Sequence, residues 1–221
     1  MPLPKFITVS EHEQGTEGWH GDRIGRFTAS RYGDLMLTTR AGKPTAKRKD
    51  YIMEIALERI TGKRKEFIRS QAMQDGVDNE PVAALAYSFA RGVELEETNF
   101  HIHENGYTGA SPDRMVKGTD GVVEIKCPKP DTHLTTLMTE EIPEYYYWQI
   151  LGEMWHTGAK YAEYVSFGVD FPPNAQLYIE TLTLDDVEED MKRLFRELEA
   201  ANEEVEERIE TINEYKSDYS Q

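Results

Sequence analysis

A chain of 221 residues with a net charge of −16 and one cysteine, Cys127, excludes an intramolecular disulfide and a cysteine-rich zinc site. No stretch approaches the roughly 20 apolar residues that cross a bilayer, and the N-terminus lacks a basic segment followed by an apolar run. A cytoplasmic protein with no membrane partner is therefore expected.

The acidic sum argues against a phosphate-rich partner, but the charge is unevenly placed. Glu180–Gln221 holds 15 acidic and 5 basic residues, whereas Arg40–Ala72 holds 10 basic and 4 acidic. Charge polarised in this way leaves room for a basic face.

In chain order, residues 1–18 read as an irregular lead-in. A short helix is expected near Ser30, capped by Thr28 or Ser30 and carrying Tyr32, Leu35 and Met36. Arg40–Lys49 reads as a basic loop running into a helix with Ile52, Ile55, Ala56 and Ile60 at helical spacing and Gly62 at its end. Residues 70–91 also read as helical, with Val82, Leu85, Ala86 and Phe89 on one apolar face and a break or turn at Pro81. From Val93 to Lys126 the pattern changes to short strands and tight turns, with His101 and His103 on an exposed strand face. Alternation is clearest in Gly121–Lys126, where Val123 and Ile125 face one way and Glu124 and Lys126 the other.

Residues 143–157 read as an aromatic-rich helix with His156 as a cation near its C-terminal end. Ala162–Val169 and Leu177–Leu184 read as strands. Leu184, Met191, Leu198, Val205 and Ile212 then recur every seven residues, with Val187, Leu194 and Ala201 between them, so the chain ends in one long acidic helix. Residues 1–183 form one domain on this reading, and 184–221 a helix packed on it or extending it. A coiled-coil or partner-docking helix is the other way to cover such a stripe.

The densest chemistry lies in Ser111-Pro112-Asp113, followed after ten residues by Glu124-Ile125-Lys126. A turn at Lys117–Gly121 sets Asp113 and Glu124 on neighbouring strands, with Lys126 on the face of Glu124. Two carboxylates meeting there call for a cation, and oxygen donors without Cys or His favour Mg²⁺ or Mn²⁺ over zinc. The Ile125 carbonyl is a further candidate ligand. Such an ion polarises a phosphoryl oxygen and acidifies a bound water, while Lys126 orients the nucleophile and offsets developing negative charge. Phosphodiester hydrolysis is the chemistry this set favours. An exposed hairpin with solvated Glu124 and Lys126 is the plain alternative.

Four ordered blocks carry a wider resemblance: Trp19-His20-x-x-Arg23-Ile24-Gly25-x-x-Thr28-Ala29-Ser30, Gly76-x-x-x-Glu80, the Asp113–Lys126 set continuing into Cys127-Pro128, and Gln149 on the helix that ends near Trp155. From about Gln14 to Phe167 the chain resembles the lambda exonuclease (YqaJ-like) family of phage recombination nucleases, within the PD-(D/E)xK superfamily. The resemblance implies an α/β, restriction-endonuclease-like fold with a mixed central sheet flanked by helices. It implies two-metal catalysis with Asp113 and Glu124 as main ligands, Glu80 completing a second position, and Lys126 at the reacting phosphate.

Arg23 and Ser30 match positions that hold a 5′-terminal phosphate, to which Ser111 could add a hydroxyl. Gln149 matches a residue that hydrogen-bonds near the scissile nucleotide, with a surface or core amide as the other reading. The implied activity is 5′→3′ digestion of duplex DNA ends in phage-type recombination, by a homotrimeric ring working with a single-strand annealing protein. The chain departs from the pattern at Leu151, where a second glutamine is expected, and at Glu153, where the RecB-type motif has tyrosine. Rival readings are an endonuclease or a Cas4/RecB-like nuclease on the same scaffold, and a non-catalytic DNA-end-binding or coiled-coil scaffold protein. The lone cysteine counts against an iron–sulfur version.

Overall fold

The computed structural model describes residues 7–65 and 70–215. The first six positions of the expected lead-in and the last six of the expected C-terminal segment lie outside it. The rest of the lead-in is ordered into strand β1 (Ile7–Val9) and helix α1 (Glu17–Asp22), the latter capped by the Thr16 side chain. There follow β2 (Phe27–Thr28), a 3-10 turn at Ala29–Arg31, α2 (Tyr32–Met36), α3 (Ala46–Thr61) and α4 (Gln71–Arg91). Short strands β3 (Leu95–Glu96), β4 (His101–His103), β5 (Thr108–Ala110) and β6 (Arg114–Val116) lead into β7 (Gly121–Lys126). The chain continues through α5 (Pro130–Thr139), α6 (Glu144–Thr157), β8 (Tyr161–Phe167), β9 (Leu177–Thr183) and α7 (Leu184–Asn213).

The central sheet has the order β3-β6-β7-β8-β9, mixed because β7 and β8 run parallel while the other pairs are antiparallel. A smaller sheet, β1-β4-β5-β2, is also mixed, through the parallel pair β2–β5. Helix α6 bridges the two, contacting β4 and β5 as well as β7 and β8. Its close approach to α2 depends on Gly152, where a Cβ would stand 2.5 Å from the Tyr32 ring.

Two apolar cores follow from this layering. The larger joins α2, α3, α6 and α7 to one face of the sheet through Tyr32, Tyr51, Ile52, Trp148, Leu151, Leu194 and Leu198. The smaller packs Ala83 and Tyr87 of α4 on Val123, Ile125, Val165 and Phe167. Helix α7 buries Val187, Met191, Leu194, Leu198, Ala201 and Val205, so its heptad stripe is satisfied within the chain as far as Val205, while Ile212, its last expected member, is exposed. Its acidic flank meets α3: Arg48 pairs with Glu204 at 2.6 Å, and Arg59 with Glu206 at 2.6 Å. Part of the basic segment is therefore consumed internally.

Five expectations need correction. Helix α4 runs unbroken through Pro81, which sits on the solvent side, where the missing N–H leaves no buried carbonyl stranded. Its Val82, Leu85 and Phe89 face outward, Phe89 at 92% exposure, because the small Ala83 and the hydrogen-bonding Tyr87 take the inner face. In α3, Ile60 is exposed beside Met53 and Leu57, while Ile52, Ile55 and Ala56 are buried as expected. His156 is no surface cation, since it is fully buried, touching Gly152 O through Nδ1 at 2.6 Å and Tyr32 Oη through Nε2 at 3.3 Å. A carbonyl can only accept, so Nδ1 carries a proton, and burial lowers the pKa to about 3, which keeps the ring neutral. His101, too, is buried rather than exposed, and burial lowers its pKa to about 4.

Candidate active site

The hairpin forms as its spacing requires. β6 pairs with β7 in the register Arg114↔Val123 to Val116↔Gly121, which puts Asp113 just beyond the pairing, level with Glu124. Asp113 Oδ2 accepts from the Ile125 N–H at 2.8 Å. In an extended strand the N–H and C=O of one residue point to the same edge. The Ile125 carbonyl thus faces the Asp113 side, as a ligand role demands.

Glu124 is wholly buried, and its Oε1 receives both the Lys126 ammonium and, at 2.6 Å, Gln149 Nε2. Glu80, in mid-helix on α4, reaches the same locality, with its Oε1 held by Arg114 Nη1 at 2.9 Å. Arg114 also donates to the Asp113 carbonyl at 2.5 Å.

The electrostatics show a site short of positive charge. Burial first, and the Asp113 charge second, raise the pKa of both Glu80 and Glu124. Burial first, and then Glu124, push Glu153 well above the carboxylate range. Burial works against the Lys126 charge, but Glu124 and Asp113 more than offset it and hold the ammonium protonated. Glu124 Oε2 and Glu153 Oε2 have no donor, apart from a proton the two carboxyls can share between them.

Orphaned buried carboxylate oxygens among mutually repelling acids are what a hard divalent cation satisfies, so the donor set fits Mg²⁺. Among the described residues no three acidic, His or Cys side chains close into a cage. Instead, Lys126 and Arg114 occupy the cation positions on Glu124 and Glu80.

Arg23, Ser30 and Ser111 converge as a second cluster. Arg23 donates to Ser111 Oγ at 3.2 Å and to Ser30 Oγ at 3.4 Å, and its guanidinium lies 4.2 Å over the Trp19 ring. Trp19 Nε1 also donates to Ser111 Oγ, at 3.0 Å. Burial, helped by Arg64, lowers the Arg23 pKa to about 10, which leaves it charged at neutral pH. Ser30 lies inside a three-residue 3-10 turn rather than at the start of a helix, so its hydroxyl, not a helix dipole, is what it brings.

Gln149 is in the site but not facing out. It is 5% exposed, and its amide donates to Glu124 and to Glu153, so it is a core amide at the edge of the carboxylate site. Glu153 and Arg114 are the residues the sequence reading missed. A carboxylate one turn after Gln149, among Ile150, Leu151 and Met154, was a legible anomaly, because acids are rarely buried unless paired. Arg114 directly follows Asp113 and gave no spacing signal of its own.

A mixed sheet closed by a long helix, with a carboxylate–lysine hairpin at its centre, defines an α/β scaffold built around one acidic site. The chain belongs to the YqaJ-like viral recombinase family, whose domain matches residues 18–160. Among solved structures it is similar to an alkaline exonuclease (LHK-Exo) from Laribacter hongkongensis, at 32% identity and a TM-score of 0.80, covering 90% of this chain and 96% of that one. The same enzyme in complex with dAMP matches equally well, at 32% identity and a TM-score of 0.80 over 89% of this chain and 96% of that one. A phage-related exonuclease from Haemophilus somnus 129PT, at 18% identity and a TM-score of 0.66 over 85% of this chain and 96% of that one, shares the fold. No curated protein matches.

Proposed function

We propose that this protein is a Mg²⁺-dependent deoxyribonuclease that digests duplex DNA from its ends, 5′→3′, in phage-type recombination in the cytoplasm. The observation that carries the reading is the adjacency of two clusters: Ser111, in the arginine pocket, lies two residues before Asp113 in the carboxylate–lysine hairpin. Two residues of extended chain span at most about 7 Å. A terminal phosphate gripped by Arg23, Ser30 and Ser111 therefore brings the neighbouring phosphodiester toward Asp113. Arginine suits that grip because its planar fork matches phosphate oxygens.

Asp113, Glu124, the Ile125 carbonyl and Glu80 are the groups to hold divalent ions, two in number, with Mn²⁺ able to replace Mg²⁺. When bound, the metal supplies a nucleophilic water at neutral pH and a clamp on the phosphoryl oxygens. Lys126 places an ammonium at the reacting phosphate and offsets charge as it develops. Arg114 must yield its contact on Glu80 for that carboxylate to serve.

A ring of three copies with basic segments lining its channel would reconcile the acidic sum with a DNA substrate. Two exposed apolar strips support self-association: Val82, Leu85 and Phe89 on α4, and Met53, Leu57 and Ile60 on α3. Strips on different faces suit head-to-tail contacts, which close into a ring when the rotation between copies is a whole fraction of a turn. A single-strand annealing protein is the expected partner for the 3′ tail. No described helix is long and apolar enough to cross a membrane.

The test is digestion of linear duplex with 5′-phosphate or 5′-hydroxyl ends, beside circular duplex, with and without Mg²⁺. Faster loss of the phosphorylated end, only with Mg²⁺ and with circles intact, is the expected result. Equal rates on both ends would remove the pocket role of Arg23, and cut circles would make the enzyme an endonuclease.

A further inference from the structure

Gln149 holds two buried carboxyl groups at once. Its Nε2 lies 2.6 Å from Glu124 Oε1 and 2.8 Å from Glu153 Oε1, and these acids are 0% and 1% exposed. An amide nitrogen has two hydrogens in a fixed plane, so committing both of them fixes the rotation of the carboxamide. With only one anchor, the Gln149 amide could swing away from Glu124 or turn its oxygen toward it. Glu153 is the second anchor.

Its surroundings give the fold no reason to keep an acid there. Ile150, Leu151 and Met154 on the same helix are all at 0% exposure, and a buried carboxyl costs stability relative to an apolar side chain of similar size. One oxygen of Glu153, Oε2, finds no donor in this packing apart from a proton shared with Glu124.

We infer that Glu153 is a positioning residue for the cation site, acting through Gln149 and through its own contact with Glu124 to hold the Glu124 carboxylate in one orientation beside Asp113 and Lys126. It touches neither the substrate nor the ion on this account. The inference rests on the metal-dependent reading above and deepens it. Partners that orient a ligand characteristically govern metal affinity by about 10- to 100-fold.

The experiment is Mn²⁺ binding to the full metal-free chain without DNA, by calorimetry, with a thermal melt of each variant. Glu153→Leu should weaken Mn²⁺ binding by about 10- to 100-fold while melting no lower than the parent. Glu153→Gln keeps an acceptor for Gln149 and should restore most of the affinity. Gln149→Met should weaken binding in the same direction, and the double variant should lose less than the product of the two single losses, because the two residues are coupled. A Glu153→Leu protein that binds Mn²⁺ like the parent overturns the inference, and so do losses that multiply in the double variant. If Glu153→Leu fails to fold, Glu153→Ser takes its place in the same cycle. A parent chain that binds no Mn²⁺ would instead sink the metal reading itself.

Discussion

Replacing Lys126 by methionine removes the ammonium while keeping the length of the side chain, and it separates the two tasks given to this residue. Glu124 is fully buried and Lys126 is 24% exposed. Removing one partner of such a pair costs about 3–5 kcal/mol, and the partial exposure of Lys126 places the loss near the lower end. The loss should depend on pH in a defined sense. Glu124 already has a raised pKa, from burial and from Asp113, and without Lys126 it rises further. A carboxyl whose folded pKa exceeds its unfolded value contributes stability at low pH that is lost as pH rises through the folded pKa.

The deficit of Lys126→Met relative to the parent, measured by urea unfolding in EDTA, should therefore be small at pH 6 and approach about 3 kcal/mol at pH 9. Mg²⁺ should still bind, since the ammonium competes with it for Glu124 Oε1. Turnover of linear duplex at saturating Mg²⁺ should fall by about 10²–10³, the usual cost of losing one transition-state donor. A variant that turns over within about tenfold of the parent would refute the placement of Lys126 at the reacting phosphate. A deficit that does not vary with pH would refute the pairing with Glu124.

Three further outcomes are expected. Arg23→Met should abolish the preference for 5′-phosphate over 5′-hydroxyl ends and slow the phosphorylated substrate more than the other, as measured by end-labelled digestion. His156 has its pKa lowered by burial to about 3 and His101 to about 4, so each contributes stability that is present above the unfolded value near 6.5 and lost as pH falls. At pH 5.5 each costs about 1.4 kcal/mol, and His156→Gln should remove its share from the loss seen in melts between pH 7.5 and 5.5. Leu85→Lys with Phe89→Lys should leave the monomer's unfolding unchanged, because both side chains are exposed. If α4 is an assembly surface, sedimentation should show self-association weakened by at least about 100-fold, given about 1.5–3 kcal/mol per buried side chain.

How far the sequence could be read depended on whether a feature was local. The hairpin was legible because period-two geometry and one turn fix Asp113, Glu124 and Lys126 relative to one another without any knowledge of the rest of the chain. The heptad stripe of α7 was legible for the same reason, and its partner helices in the structure explain why it stays buried. Helix α4 was not. Its apolar spacing offered Val82, Leu85 and Phe89 as the inner face, yet what decides the orientation is Tyr87, whose hydroxyl reaches the buried Glu163, itself paired with Arg91 at 2.7 Å. That partner is 76 residues away, so no local pattern could reveal it. The histidines failed similarly: His156 is neutral because burial against α2 outweighs the Gly152 carbonyl, which by itself would favour the charged ring.

The same distinction governs the charge. From composition, the basic stretch at 40–72 and the acidic tail left room for a basic face on an acidic protein. In the structure α3 lies along α7, and Arg48 and Arg59 are spent on Glu204 and Glu206. The positive groups that remain informative are the few placed singly. Arg23 lies in its serine pocket, Lys126 on Glu124, and Arg114 on Glu80. An acidic protein can handle a polyanion with so few cations if each stands where a phosphate must pass, because burial strengthens every such contact relative to water. That argument makes position, not net charge, the property on which DNA binding here should depend. Neutralising exposed acids on α7 should then change the salt dependence of DNA binding far less than the single change Arg23→Met.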